Sequence, residues 1–261
     1  MLQRAQDHKA YDTHLNYIHC LCVLTQNVKI QHFKLLKKAA ISNLNEKQNL
    51  IVLTKKSLSD EYKIVQIDQD YSYASTSWLP IKSYYLIFNI LLTIEYIIQV
   101  QKSVFRINHT KCVEEFTRKL RMKEIQFSEP ILNQVFDKSI INYKAKIGAN
   151  LSVNTNLEDM YKIAIRKIAR YKVEDWKQKN RINIKRTTDK IKYQQYLSSF
   201  YVSIFDFIYM MRIRSNYRDF SFINEVTVGE TAKYFRLYFA FTVNLFKALD
   251  GVKKDLVNMR I

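Results

Sequence analysis

An arginine-rich segment in the last quarter of the chain combines residue types that can hold a phosphodiester. It contains Arg212, Arg214, Tyr217 and Arg218 within seven residues. Guanidinium groups bind phosphate oxygens through paired hydrogen bonds and stabilise the negative charge that develops when a phosphodiester is cleaved. The spacing therefore predicts a phosphate-binding cluster of arginines. The alternative is a structural network in which the same cations stabilise the end of a helix.

Cleavage of RNA without a metal also needs a group that moves the proton of the 2′-hydroxyl. A histidine is best suited to this at neutral pH, whereas a phenol such as that of Tyr217, with a pKa of about 10, is a poor base. All five histidines lie at or before His109. We therefore take Arg212, Tyr217 and His109 as the candidate catalytic residues, with His109 a substitute base if the fold brings it to Arg212. The alternative for His109 is a cap or surface residue.

The segment 160–192 carries the densest positive charge. Its twelve basic and three acidic residues give a net charge of +9, which is half of the +18 of the whole chain. Such clustering predicts contact with a polyanion, because lysine and arginine neutralise phosphates. A solvated helix face is the alternative. The residues expected to contact nucleic acid are Arg214, Arg218, Lys177, Lys179, Arg181, Lys185 and Arg186.

No pattern in the sequence predicts a metal or a cofactor. The chain has only 3 glycines, and it contains neither a P-loop nor a dinucleotide-binding motif. The N-terminal His8, His14, His19, Cys20 and Cys22 match no zinc spacing. Three cysteines without a disulfide pattern, and no apolar signal core at the N-terminus, predict a reducing, cytoplasmic location.

Long amphipathic stretches must position these residues. The chain has 3 glycines and 2 prolines, so we expect long uninterrupted helices. One helix is predicted from about 79 to 101, with Pro80 in its first turn. Its apolar run includes Asn89 and Glu95, which favours a buried bundle helix over a membrane span. Further helices are predicted over about 110–123, 130–146 and 187–214, and the last helix is expected to stop at Gly251.

The chain divides into two predicted parts. Residues 1–75 form an N-terminal appendage, in which 50–68 is expected to be a short β-hairpin or irregular. Residues 76–261 form a helical domain with a basic insertion at about 148–195. Near the C-terminus, Thr227 and Glu230 have the spacing of a capping box, in which each side chain bonds the other residue's backbone amide.

Two segments together resemble the HEPN superfamily of small helical bundles, in particular its short, uncharacterised-protein subgroup. The first is the run Ser83–Asn89 with the turn Asn108–Lys111, and the second runs from Arg212 to Tyr217. They occur in the family's order and cover about 78–124 and 196–250. Active members carry an arginine followed, after four to six residues, by a histidine. Here Tyr217 stands where that histidine is expected, so the motif is degenerate.

The resemblance implies a mainly α, antiparallel helical bundle that forms a homodimer and binds RNA or another polyanion. It also implies a role in a phage-defence or toxin–antitoxin type system, with a nucleotidyltransferase-like or acidic protein as a further partner. Because the histidine is missing, we expect an RNA-binding protein without catalytic activity. The alternatives are a metal-independent ribonuclease toxin and an interaction module for an acidic protein.

Overall fold

The computed structural model describes residues 2–34, 44–98, 108–145, 156–216, 223 and 226–258. These residues form a mainly helical protein, as the sequence predicts. The helices are α1 (Leu2–Thr25), α2 (Leu44–Ile67), α3 (Tyr71–Ile98), α4 (His109–Arg121), α5 (Leu157–Lys179), α6 (Thr187–Ser198), α7 (Ile204–Asn216) and α8 (Val228–Asn258). Two short 3-10 turns, Pro130–Asn133 and Lys138–Asn142, lead from α4 towards α5.

Helix α3 lies at the centre of the bundle. Of its 28 residues, 17 are buried, and it packs against α2, α4, α7 and α8. Its longest contact is with α8, where the Thr242 hydroxyl donates to Ser83 Oγ at 2.9 Å. Among the described helices, α3 alone has the length and apolar composition of a membrane span, but most of that stretch is buried inside the protein. Burial of this kind explains its composition as that of a core helix.

Residues 50–67 are helical, so the hairpin predicted over 50–68 is wrong in position. Ile51, Leu58 and Val65 are buried and spaced seven residues apart, which is the stripe of a helix facing the core. Short β-branched runs in this segment have the composition of strands. The seven-residue period of the buried positions decides the structure, because only a helix brings them to one face.

A two-stranded antiparallel sheet exists elsewhere. Strand β1 (Ile30–Phe33) pairs with β2 (Ile125–Phe127), with Ile30 opposite Phe127 and Phe33 opposite Ile125. The sheet therefore ties the chain after α1 to the end of α4. An isolated bridge between Phe136 and Val202 adds a second link of this kind.

Several predicted helix boundaries are also wrong. Helix α3 begins at Tyr71, so Pro80 lies inside it and not in its first turn. The helix expected over 187–214 is two helices, α6 and α7, separated by 199–203. The region after Pro130 forms 3-10 turns, and α8 continues through Gly251 to Asn258. The capping box is confirmed: Thr227 N donates to Glu230 Oε2 at 2.8 Å, and Glu230 N donates to Thr227 Oγ1 at 3.3 Å.

The N-terminal helices share one hydrophobic core with the rest of the described chain. Tyr11 and Ile18 of α1 and Leu58 of α2 belong to the same buried cluster as Ile94 of α3. Tyr11 also donates a hydrogen bond to the Glu230 carbonyl at 2.7 Å. The predicted boundary at residue 75 falls inside α3, so the appendage and the helical domain are joined by a continuous helix.

A pair of leucine substitutions tests the helical structure of α2. Leu58 is 1% exposed and Leu53 is 63% exposed. We expect Leu58→Ala to lower the free energy of unfolding by about 2–5 kcal/mol, because it leaves a cavity in the core. Leu53→Ala should change it by less than about 0.5 kcal/mol. Urea unfolding followed by circular dichroism measures both. Equal effects of the two substitutions would contradict this structure of α2.

Candidate phosphate-binding site

The N-terminus of α4 places His109 beside α3. Asn108 caps the helix, with its Oδ1 accepting from Lys111 N at 2.9 Å, so His109 is the first helical residue. The body of α4 is held to α3 by a buried ion pair, with Lys119 Nζ 3.2 Å from Glu95 Oε1. The cap and the ion pair together fix where the imidazole lies.

His109 packs into a group of aromatic side chains on α3. Its Nδ1 is 2.7 Å from the Tyr84 hydroxyl. Its ring centroid is 4.3 Å from that of Phe88 and 5.8 Å from that of Tyr85. The imidazole is half-buried, whereas Tyr84 is fully buried. One edge of the histidine ring is therefore oriented by a phenol that does not leave the core.

Arg212 of α7 reaches the same group of rings. Its guanidinium carbon lies 5.0 Å from the Tyr84 ring centroid and 5.3 Å from that of Tyr85. Its Nη2 donates to the Tyr85 hydroxyl at 3.3 Å. Its Nε is buried and finds no acceptor among the described residues. The side chain as a whole is half-buried, so its guanidinium is both held on aromatic faces and partly accessible to an anion.

The electrostatics of His109 reflect this proximity. Burial lowers its pKa from the ordinary value, and the positive charge of Arg212 lowers it further. The imidazole is therefore neutral at pH 7 and able to accept a proton. Burial also raises the pKa of Tyr84, so this phenol keeps its proton. The site therefore combines a neutral base with a cation.

A buried polar network holds α7 in place. Ser203 precedes the helix, and Asp206 Oδ2 accepts from the Ser203 amide at 2.9 Å. The same carboxylate accepts from Lys172 Nζ of α5 at 2.7 Å and from Thr117 Oγ1 of α4 at 2.9 Å. One aspartate therefore connects α4, α5 and α7, and so fixes the helices that carry His109 and Arg212.

The remaining residues of the arginine motif lie elsewhere or outside the description. Arg214 lies on the opposite flank of α7 from Arg212, with its guanidinium carbon 4.1 Å from the Tyr171 ring centroid on α5. Positions two apart on a helix do not share a face. The Arg212 side chain contacts α3 and the Arg214 side chain contacts α5, so the two do not form the predicted joint cluster. Tyr217 and Arg218 lie outside the described residues.

The basic residues of 160–192 differ in how their charges are matched. Lys177 pairs with Glu174 at 2.8 Å and Lys179 pairs with Asp175 at 2.7 Å, both along α5. Arg181, Lys185 and Arg186 are exposed in the turn between α5 and α6, and none of them makes an ion pair within the described ranges. The α5–α6 turn, here defined as residues 180–186, therefore carries three exposed cations that have no ion pair in the described chain. Arg166 and Arg170 of α5 also lack ion pairs there, but they donate to the carbonyls of Tyr143 and Ile141.

The described ranges contain no cluster of three or more histidine, cysteine or carboxylate side chains that could hold a metal. His14 is half-buried, and desolvation, followed by the charges of Lys167 and Arg214, lowers its pKa to about 4. Cys20 is buried, and burial raises the pKa of its thiol to about 12. These N-terminal side chains are neutral parts of the core.

Sequence reasoning missed the aromatic half of the site. Tyr84 and Tyr85 contact both His109 and Arg212, yet the sequence marked them only as part of a motif. The signal was their position: Tyr84 and Phe88 are one turn apart on an apolar helix. Tyr209 also belongs to the group, with its hydroxyl 3.1 Å from Thr110 Oγ1.

Comparison with known proteins adds no family assignment. No protein-family model, no curated protein and no solved structure matches this chain.

Removal of the Arg212 charge should raise the pKa of His109. The sign follows from the structure, since a nearby cation disfavours the imidazolium. We expect a wild-type pKa below about 6.5, a shift upward in Arg212→Ala, and a smaller shift in Arg212→Lys, which keeps the charge. NMR titration of the imidazole protons measures this, with His109→Gln assigning the signal. An identical pKa in wild type and Arg212→Ala would contradict the proximity of the two side chains.

Proposed function

We propose that this protein binds RNA, chiefly through phosphate contacts made by the α5–α6 turn. The observation that carries the proposal is the exposure of Arg181, Lys185 and Arg186 without matching carboxylates in the described chain. Unpaired cations release counterions from a nucleic acid when they bind it, whereas Lys177 and Lys179 are already matched. Contacts of this kind give affinity with little base specificity.

The shape of the turn supports the same proposal. Helix α6 has no fully buried residue, and it is held to α5 by the stack of Tyr196 on Trp176, with ring centroids 4.2 Å apart. Arg181 adopts a left-handed backbone conformation, with φ of 51°, which reverses the chain sharply at the end of α5. The reversal leaves the basic side chains at an accessible tip.

The HEPN resemblance is part of this proposal. It supplies the expectation of a cytoplasmic, RNA-directed protein of a defence or toxin–antitoxin type system that acts as a homodimer. The bundle of long helices is compatible with it. A nucleotidyltransferase-like or acidic protein is the further partner that the resemblance suggests. Co-purification from cells distinguishes such a partner from bound RNA.

Charge reversal in the α5–α6 turn tests RNA binding. We expect the triple variant Arg181→Glu, Lys185→Glu, Arg186→Glu to abolish tight binding of a single-stranded RNA. The slope of log affinity against log salt should become shallower by about 2, since each single-strand phosphate contact contributes about 0.7. Fluorescence anisotropy across a salt series measures both quantities.

The matched control reverses three exposed lysines of α2, Lys55, Lys56 and Lys63. It changes the net charge by the same amount and should leave most of the affinity and the salt slope in place. Equal loss in both triple variants would show a general charge effect and contradict the proposed footprint. Absence of RNA affinity at low salt would favour the acidic protein partner.

A second candidate function is metal-independent RNA cleavage at His109 and Arg212. The specific observation is that both side chains contact Tyr84. With Nδ1–H donating to the Tyr84 oxygen, Nε2 of the neutral imidazole accepts the proton of a 2′-hydroxyl. That oxygen attacks the adjacent phosphorus, and the 5′-oxygen leaves with the electron pair of the broken bond and takes up a proton from water. Arg212 stabilises the charge on the phosphate. In this candidate mechanism His109 of α4 takes the role of the histidine that the family motif carries shortly after the arginine.

Cleavage of RNA in the presence of EDTA tests this candidate. We expect His109→Ala to lower the rate about 10²–10⁴-fold, the range for loss of a general base, and Arg212→Ala to lower it as well. The rate of the wild type should rise with pH up to the lowered pKa of His109 and then level off. Tyr209→Phe removes a hydroxyl that bonds Thr110 and not His109, and serves as the control. Cleavage that survives both alanine variants would reject this site.

A further inference from the structure

A cavity of about 440 Å³ lies between α4, α5, α6 and the link that leads to α7. This volume is in the range of small-molecule sites. Lys172 and Thr117 of the Asp206 network line the cavity, whereas neither His109 nor Arg212 does. The cavity is therefore distinct from the Arg212 site, and hydrogen-bonded side chains of the Asp206 network form part of its wall.

The cavity has a flat aromatic lining. Four of its ten lining residues are aromatic: Trp176, Tyr196, Phe200 and Tyr201. Trp176 and Tyr196 are stacked, with planes 8° apart, and Phe200 meets Tyr196 edge-on with centroids 5.8 Å apart. Such surfaces bind planar rings, and the stacking of a nucleobase on an aromatic side chain contributes about 1–3 kcal/mol.

Most of the charges around the cavity are already matched. Lys172 is paired with Asp206 at 2.7 Å, and Arg118 is paired with both Glu115 and Glu124 at 2.8 Å. These cations are consequently poor partners for an added anion.

Arg121 and Glu114 are the exceptions. Neither makes an ion pair within the part of the chain that the structure describes, and both line the cavity. The Arg121 guanidinium is positioned over the Tyr201 ring, with its carbon 4.1 Å from the centroid. The two residues are seven positions apart on α4, which separates their Cα atoms by about 10 Å along the helix axis. The cavity therefore offers a cation at one end, a carboxylate at the other and aromatic rings on its walls.

We propose that this cavity binds a nucleotide carrying a single phosphate group. The base stacks on the aromatic lining, the phosphate pairs with Arg121, and N–H donors on the base edge bond Glu114. The carboxylate disfavours a ligand with anions at both ends. The nucleotide is either free in solution or one unit of a single-stranded RNA. The site goes beyond the proposed RNA-binding turn, because none of the turn's basic residues lines the cavity.

The chain has two tryptophans, which gives the site its own reporter. Trp78 lies on α3 and is 59% exposed, so Trp78→Phe leaves Trp176 as the single fluorophore without disturbing the core. In this background we expect guanosine 5′-monophosphate to quench the fluorescence of Trp176 saturably. Ribose 5-phosphate, which lacks the base, and guanosine, which lacks the phosphate, should each bind at least tenfold more weakly.

Arg121→Ala, an exposed substitution, should weaken binding of guanosine 5′-monophosphate at least tenfold. Lys63→Ala on α2, also exposed, removes one positive charge elsewhere and should have no effect. A single-stranded RNA octamer containing guanosine distinguishes the two sources. If only the nucleotide causes Arg121-dependent quenching, the ligand is a free nucleotide. If only the octamer causes it, the ligand is an RNA strand. If both cause it, the site accepts either.

The proposal fails if neither ligand quenches Trp176, or if Arg121→Ala binds as tightly as the parent. It also fails if ribose 5-phosphate binds as well as the nucleotide. The charge-reversal variant of the α5–α6 turn separates the two proposals. If it loses RNA affinity while the nucleotide still quenches Trp176, the turn and the cavity act independently.

Discussion

Helix α3 imposes the constraint on which the rest of the structure depends. A helix with 17 of 28 residues buried must be covered on most of its surface. Helices α2, α4, α7 and α8 supply that cover, and the core they form with α3 includes residues from both ends of the chain. The two side chains of the candidate site approach Tyr84 because α4 and α7 both pack on this helix. The site is thus a product of covering one apolar helix.

Polar groups inside this bundle select one arrangement of the covering helices. Burying Asp206 is tolerable because Lys172, Thr117 and the Ser203 amide all donate to it. Glu95 is matched by Lys119 in the same way, although burial still raises the pKa of Glu95. Apolar contacts alone would permit α4 and α7 to slide along α3. These bonds fix their positions, and a site built on both helices needs that precision.

The sequence predicted a mainly helical protein because glycine and proline are scarce and apolar residues recur at helical spacing over long stretches. It did not distinguish helix from strand in α2, since short runs such as Ile51–Thr54 are compatible with both. The burial of Leu58, which decides for a helix, depends on tertiary packing. The break before α7 was visible in principle, because Ser203 and Asp206 have capping-box spacing. The sequence could not predict that His109 lies near Arg212, because the two residues are on helices far apart in the chain.

The charges of α5 show how a structure refines a compositional inference. A net charge of +9 over 160–192 suggests one continuous basic face. Ion pairs along the helix engage Lys162, Lys172, Lys177 and Lys179, and the carboxylates that match them are supplied by α5 itself and by Asp206. Since matched charges release few counterions on binding, these four lysines would contribute less to a polyanion contact than the exposed cations of the turn beyond α5. The turn precedes the first residues of α6, whereas Tyr196, whose ring lines the cavity, lies near the end of that helix. The exposed face of α6 connects the two regions and supplies further lysines along the way.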